Sequence, residues 1–453
     1  MGLEQELTAV LRAAADEHGV PGAAAGLLVD DEVVVATHGT ASVEFDRPVT
    51  PATRFQVGSV SKTFASAAVM LLVQEGRLAL EDSVSRHLPD LGPSTGIDLD
   101  AATVEHLLSH QLGIDGDHLF VQRETDDLAA LASARHLFDP GTGYSYSNAG
   151  FSVAGAVVEA VSGQAYDAFV RERLLRPLGL TGAGYRADDV VIDDIAAPHW
   201  SADGEALVLR GAGWQPGWEL GRLDQAPGGL IASLRHLLAW CRFQQTGTTE
   251  DGSTLLAPSS LARLHRPVTA ADALDQIALD WFVRDLDGAT SIGHGGVTVG
   301  YVTDLLVVPE RGLSFVGLTN AAHGAKVNRV VRRWALERVA GIVERDPPPD
   351  PSITLDRATV VGRYLHPFAV LEVSVGADSG TFTVTSSPRT DLDRSAWQPP
   401  VEDPVDVAAF TADQVVSVGV DVARTGRFPP AGAAPARWFQ WGGRRAPRID
   451  GPA

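Results

Sequence analysis

The sequence predicts an α+β domain followed by a small all-β domain, and three observations carry that prediction. Strand-like runs lie near both ends of residues 1–343, with helical patterns between them. The run Arg345-Asp346-Pro347-Pro348-Pro349-Asp350-Pro351 cannot continue a helix and is stiff and extended. Beyond it only short strand patterns follow. The expected organisation is therefore a domain over 1–343, a proline-rich linker over 344–352 and a β-domain over 353–453.

Each element has its own local cause. Leu3, Leu7, Val10, Leu11 and Ala14 recur at helical spacing among acidic residues and predict an amphipathic first helix. Two apolar runs between Gly22 and Thr37, separated by Asp30-Asp31, predict a hairpin. A helix starting near Ser59 is apolar on most of its circumference, so it belongs at the domain centre, and it stops at Gly76. A largely helical middle follows to about residue 180, then a Gly- and Pro-rich stretch over 212–229. Residues 300–308 and 313–319 read as strands joined by Pro309-Glu310-Arg311-Gly312, and a last helix covers about 325–343. In the β-domain, strands are expected over 370–375, 381–385 and 415–422, with a turn over 376–380.

Composition limits function. The apolar fraction of 45% with 21% charged residues is that of a folded protein, and the longest apolar run, Phe64 to Val73, is too short to cross a bilayer. A formal net charge of −21 opposes nucleic acid and anionic membrane surfaces, which carry the same sign. The single cysteine, Cys241, excludes an internal disulfide and reads as a buried inert thiol. The N-terminus has no basic region followed by an apolar run, so a cytoplasmic location is the expectation. No metal or cofactor is called for: His106 and His110 stand four apart, but no glutamate follows His106 as in zinc proteases.

Only Lys62 and Lys326 are lysine among 36 basic residues. Arginine keeps its proton inside a protein, whereas lysine can be tuned for proton transfer, which draws attention to Lys62. Ser59-Val60-Ser61-Lys62 places serine and lysine three apart, on one face of a helix. A serine hydroxyl needs such a neighbour to become a nucleophile. Ser59 at a helix start would also aim a backbone N–H at a reacting carbonyl oxygen. Tyr146-Ser147-Asn148 follows the turn sequence Pro140-Gly141-Thr142-Gly143 and precedes a helical pattern. A tyrosine acting as base at neutral pH needs a nearby cation, which Lys62 can supply, and Asn148 offers an amide to Lys62 or to a substrate carbonyl. In His294-Gly295-Gly296 the glycines allow close approach to the backbone, so the Val297 N–H can serve as a second oxyanion donor.

Taken in order, Ser59/Lys62, Tyr146/Asn148 and His294/Gly296 resemble the penicillin-recognising serine enzymes, in particular relatives of class C β-lactamases and DD-peptidases. Phe55-Gln56-Val57-Gly58, His106-Leu107-Leu108-Ser109-His110, Pro140-Gly141 and Gly228-Gly229 fit the same family, over about residues 5–343. The resemblance implies a β-lactamase/transpeptidase-like fold, an antiparallel sheet flanked by helices with a helical subdomain. It implies Ser59 as the acylated nucleophile, with Lys62 and Tyr146 sharing the base work and Tyr146 returning a proton to the leaving group. Ser59 and Val297 would form the oxyanion hole, and His294 would orient substrate or assist proton traffic.

The family's Lys-Thr-Gly is here His294-Gly295-Gly296, and a histidine is mostly neutral near pH 7, which argues against strong β-lactamase activity. His-x-Gly versions are similar to family VIII carboxylesterases, D-amino-acid-specific peptidases and amidases, and transacylases. The C-terminal part resembles the lipocalin-like β-domain attached to some of these hydrolases, with Gly362-Arg363-Tyr364 opening it and Trp441-Gly442-Gly443-Arg444 near its end. Arg437, Arg444, Arg445 and Arg448 read as a solvated face, the alternative being a cap whose arginine reaches a substrate carboxylate.

The expected function is hydrolysis of an ester, amide or small peptide through an acyl-enzyme. A second expectation is acyl transfer to an amine, as in penicillin-binding-protein-type thioesterases that cyclise nonribosomal peptides, with a carrier-protein thioester as partner. A non-catalytic binding module is the third.

Overall fold

The computed structural model describes residues 2–91, 97–117, 119, 127–190, 194–202, 205–209, 220–378, 380–389, 403–420, 424–430 and 435–449. Residues 212–219 of the expected Gly/Pro-rich stretch, Ser379 in the expected turn and 421–422 of the last expected strand lie outside the described residues. The chain divides into two compact units, neither continuous in sequence. One comprises residues 1–82, 151–268 and 277–344, the other 83–150, 269–276 and 345–453.

In the first unit the expected hairpin forms from strands Gly22–Val29 and Glu32–Ser42, with Val29 opposite Glu32. Asp30 takes a left-handed φ of 51° at the turn, a conformation that aspartate tolerates better than most residues. Seven antiparallel strands run in the spatial order Phe45–Pro48, Glu32–Ser42, Gly22–Val29, Leu313–Thr319, Tyr301–Val308, Ala289–Thr298, Phe282–Leu286. The N-terminal strand thus pairs with a strand near the end of the unit, Ala25 opposite Gly317. The first helix, Leu3–Glu17, and the last, Gly324–Ala335, share one core through Leu7, Leu11, Val327 and Val331.

Helix Ser61–Gln74 is buried at every position from Ser61 to Leu72, as its apolar circumference requires. Phe64 stacks on Trp240 at 3.7 Å between ring centroids. Each such fully buried large side chain contributes roughly 2–3 kcal/mol. The helix does not start at Ser59: residues Gly58–Val60 form a 3-10 turn, and the α-helix opens at Ser61. Cys241 is buried, and burial pushes its thiol well above the ordinary range.

In the second unit, eight antiparallel strands between Gly362 and Pro447 follow one another in sequence order across the sheet. A bridge between Tyr364 and Arg448 joins the first strand to the residue just after the last. That is the arrangement of an up-and-down barrel, which leaves no free sheet edge. Its core holds Tyr364, Phe382, Phe428, Phe439 and Trp441. Among the described residues between Ser83 and Ser147 the helices are short, Val84–His87, Val104–Leu108 and the 3-10 helix Leu128–Ser133, and the longer helix Asn148–Ser162 follows. Among the described residues no helix is long and apolar enough to cross a membrane.

Candidate active site

Ser59 sits in the 3-10 turn with Lys62 one turn later, in the first turn of the buried helix. The Lys62 Nζ donates to Ser59 Oγ at 2.9 Å and to the Pro227 carbonyl at 2.6 Å. Its side chain is fully buried and passes 5.8 Å from the centroid of the Phe151 ring. A buried lysine is costly unless its donors are satisfied. Here the Pro227 carbonyl satisfies one donor and thereby aims the amine at the serine. Ser61 ties the same turn from the other side, donating to Gly58 O at 2.6 Å and accepting from Leu230 N at 3.0 Å. The segment Gln225–Leu230, with the expected Gly228-Gly229, therefore buttresses the Ser59 turn.

Two glycines let strand Ala289–Thr298 press against that turn. Gly58 has φ +54°, and a Cβ there would lie 2.6 Å from Val297 N. A Cβ on Gly296 would lie 1.9 Å from Val57 O and 3.3 Å from Ser59 N. Neither position has room for a side chain, so the backbones of Ser59 and Val297 run in close apposition. Val297 itself is 62% exposed, in keeping with a rim position.

His294 alternates with Gly296 on the same strand face. Its side chain is only 2% exposed. Nδ1 lies 2.5 Å from Gly295 O, and Nε2 lies 3.3 Å from a carboxylate oxygen of Asp280, a residue with no exposed side-chain surface. Asp280 holds a left-handed φ of 72°, a strained conformation for a non-glycine residue. Asp280 was not legible beforehand, because nothing local marks a left-handed aspartate opposite a histidine.

Tyr146 and Asn148 lie in the second unit, with a different set of neighbours. The Tyr146 N–H donates to Gly443 O at 2.9 Å. Its ring lies 4.3 Å from the His110 imidazole and 5.0 Å from the Arg444 guanidinium. Asn148 Nδ2 donates to Asp117 Oδ1 at 2.5 Å. Asp117 is fully buried and also receives Arg444 Nε. The expected solvated arginine face is corrected here for three of its four members. Arg444 is held by Asp117 and Tyr146, Arg445 packs 4.1 Å from the Trp438 ring and 4.4 Å from Phe138, and Arg448 donates to Val361 O at 2.6 Å. Their hydrocarbon stems and planar heads cover aromatic surface, which a helical-wheel or strand pattern does not reveal.

The two histidines spaced four apart each have a local task. His106 Nδ1 accepts from Thr103 N at 3.2 Å in a helix cap, with burial lowering its pKa. His110, at φ +59°, accepts from Ser147 N at 3.0 Å and supports the Tyr146 loop. Among the described residues no three His, Cys, Asp or Glu side chains converge as a metal-binding group.

Penicillin-binding protein 4 of Amycolatopsis lactamdurans is 28% identical over 365 residues, covering 77% of this chain and 94% of that protein. The crystal structure of SurE superposes with a TM-score of 0.74 at 25% identity, over 98% of this chain and 99% of SurE, as does SurE with D-Leu. A D-stereospecific amidohydrolase from Streptomyces sp. gives a TM-score of 0.59 at 25% identity, over 74% of this chain and 98% of that one. The fold is accordingly β-lactamase/transpeptidase-like, with a C-terminal all-β barrel domain. The Beta-lactamase family model matches residues 7–340, and the chain belongs to that family of serine hydrolases.

Proposed function

We propose that this protein is a serine acyl-transfer enzyme acting on an acyl group of D configuration, in an amide, peptide, ester or thioester. The observation that carries the reading is the 2.9 Å hydrogen bond from a buried Lys62 Nζ to Ser59 Oγ. In the proposed cycle Ser59 Oγ attacks the acyl carbonyl while its proton passes to the Lys62/Tyr146 pair. The Ser59 and Val297 N–H groups hold the oxyanion, and Asn148 steadies the site. As the tetrahedral intermediate collapses, the bond to the amine, alcohol or thiol leaving group breaks, and Tyr146 returns a proton to it. The acyl-Ser59 ester then yields to water or to an amine, with the proton taken by the same pair. His294, buried on the strand that carries Gly296 and Val297, orients substrate or assists proton traffic in this cycle.

The D configuration rests on relatives whose names specify it, SurE with D-Leu and the D-stereospecific amidohydrolase, each 25% identical. The test is intact-protein mass spectrometry after exposure to D- and L-aminoacyl thioesters and esters. A stable adduct or turnover with D-acyl donors, lost in Ser59→Ala, is the expected result. Equal adducts in wild type and Ser59→Ala would end the reading. Product masses with and without an added amine then tell hydrolysis from aminolysis.

A further inference from the structure

The barrel's last hairpin is built around two consecutive left-handed glycines. Strands Trp438–Trp441 and Arg444–Pro447 pair with Trp441 opposite Arg444, and Gly442 and Gly443 take φ of 55° and 77°. Two positive φ values in a two-residue loop define a tight turn that only glycine-like residues fill without strain. The turn presents the Gly443 carbonyl, which accepts the Tyr146 N–H at 2.9 Å. Next to it, Arg445 N donates to Ser145 Oγ at 3.1 Å. Ser145 and Tyr146 are therefore tied to this hairpin, one through its side-chain hydroxyl and the other through its backbone N–H.

Side chains complete the tie. The Arg444 guanidinium lies 5.0 Å from the Tyr146 ring and 5.6 Å from the Phe368 ring. Arg444 Nε donates to Asp117, and Nη2 stands 3.3 Å from Asp117 Oδ1, the oxygen that also receives Asn148 Nδ2 at 2.5 Å. Asp117 has no exposed surface and Arg444 retains 21%. A fully buried carboxylate needs paired donors, and here they are one guanidinium and one amide. The charge of Arg444 is thus already matched within the protein. That argues against its alternative use as a clamp for a substrate carboxylate.

We propose that Arg444 is a positioning residue for Tyr146 and, through Asp117, for Asn148. The C-terminal barrel thereby supplies part of the proton-transfer apparatus. The guanidinium fixes the plane of the phenol ring and places a cation beside it. Asp117 turns the Asn148 amide and holds the guanidinium in register. This inference rests on Tyr146 being the proton-transfer residue of the proposed cycle.

The experiment is a double-mutant cycle on the full-length chain, read as acylation rate and as KM for a D-aminoacyl thioester. Arg444→Met is expected to lower the acylation rate about 100-fold, the typical cost of a misplacement near 1 Å, with KM little changed. Arg444→Lys keeps the charge but not the planar fork, and is expected to restore only part of the rate while keeping the pH profile of wild type. In a Tyr146→Phe background the same Arg444→Met change should cost less than about twofold, because the two side chains act as a unit. If Arg444→Met leaves Asp117 too poorly compensated to fold, Asp117→Asn/Arg444→Met removes both charges and takes its place. Wild-type rates in these variants would overturn the proposal, as would an equal loss with and without the Tyr146 hydroxyl. Wild-type rates in Tyr146→Phe itself would instead overturn the underlying assignment.

Discussion

Lys62 Nζ is shared between Ser59 Oγ, at 2.9 Å, and the carbonyl of Pro227, at 2.6 Å. The fixed carbonyl and the serine hydroxyl together orient the buried amine. Lys62→Met should therefore lower acylation by about 100- to 10,000-fold, the range for losing a general base. Lys62→Arg should not restore it, since a guanidinium does not release its proton. Stopped-flow acylation of both variants checks this, and recovery in Lys62→Arg would show that charge alone is needed.

Tyr146→Phe should lower turnover by a similar factor while leaving stability near wild type. The bond from its backbone N–H to Gly443 O does not depend on the hydroxyl. Thermal unfolding beside steady-state kinetics separates the two quantities. Rates close to wild type would remove Tyr146 from the proton path.

The glycine pair on strand Ala289–Thr298 should respond unequally. An alanine Cβ at Gly296 would meet Val57 O at 1.9 Å, whereas at Gly295 it would meet only Thr303 O at 3.8 Å. Gly296→Ala should cost about 1–3 kcal/mol and displace the Ser59 turn, and Gly295→Ala should leave stability unchanged within about 0.5 kcal/mol. Urea unfolding midpoints decide the comparison. Equal midpoints for the two variants would mean the turn and strand are not in tight apposition.

Asp280 combines a left-handed backbone with a buried carboxylate 3.3 Å from His294 Nε2. Asp280→Ala should lose both the carboxylate beside His294 and the backbone tolerance, at a cost of about 1–3 kcal/mol. Asp280→Gly loses the partner but fits φ +72°, so it should be about 1 kcal/mol less damaging than alanine. Asparagine, which tolerates that φ and keeps hydrogen-bonding atoms, should be mildest. Alanine and glycine of equal stability would show that the backbone there is not strained.

Acid should loosen the second unit through His366, whose pKa burial and the neighbouring Arg444 lower from 6.5 to about 3. Between those values the unfolded chain takes up a proton that the folded one refuses, so stability rises with pH. The contribution is present above about pH 6.5 and is lost as pH falls toward about 3. His366→Gln should flatten the pH dependence of unfolding over that window. An unchanged slope would mean that His366 is not held neutral.

By itself the sequence determined whatever depends on nearby residues. The spacing of Ser59 and Lys62 put hydroxyl and amine on one helical face, the apolar circumference of Ser61–Gln74 made it a central helix, and the proline run and later strand patterns marked an all-β C-terminal part. Tertiary structure decided the rest. The Pro227 carbonyl, Asp117 and Asp280 carry no local signature, the Trp441-Gly442-Gly443-Arg444 motif does not say what Arg444 meets, and each matters through an atom brought from a distant segment. Arg444 meets Asp117 across 327 positions of chain. Such pairings arise because buried polar groups must find partners wherever the fold delivers them. The pattern of apolar residues records which faces are buried, and it does not record which polar atoms meet there.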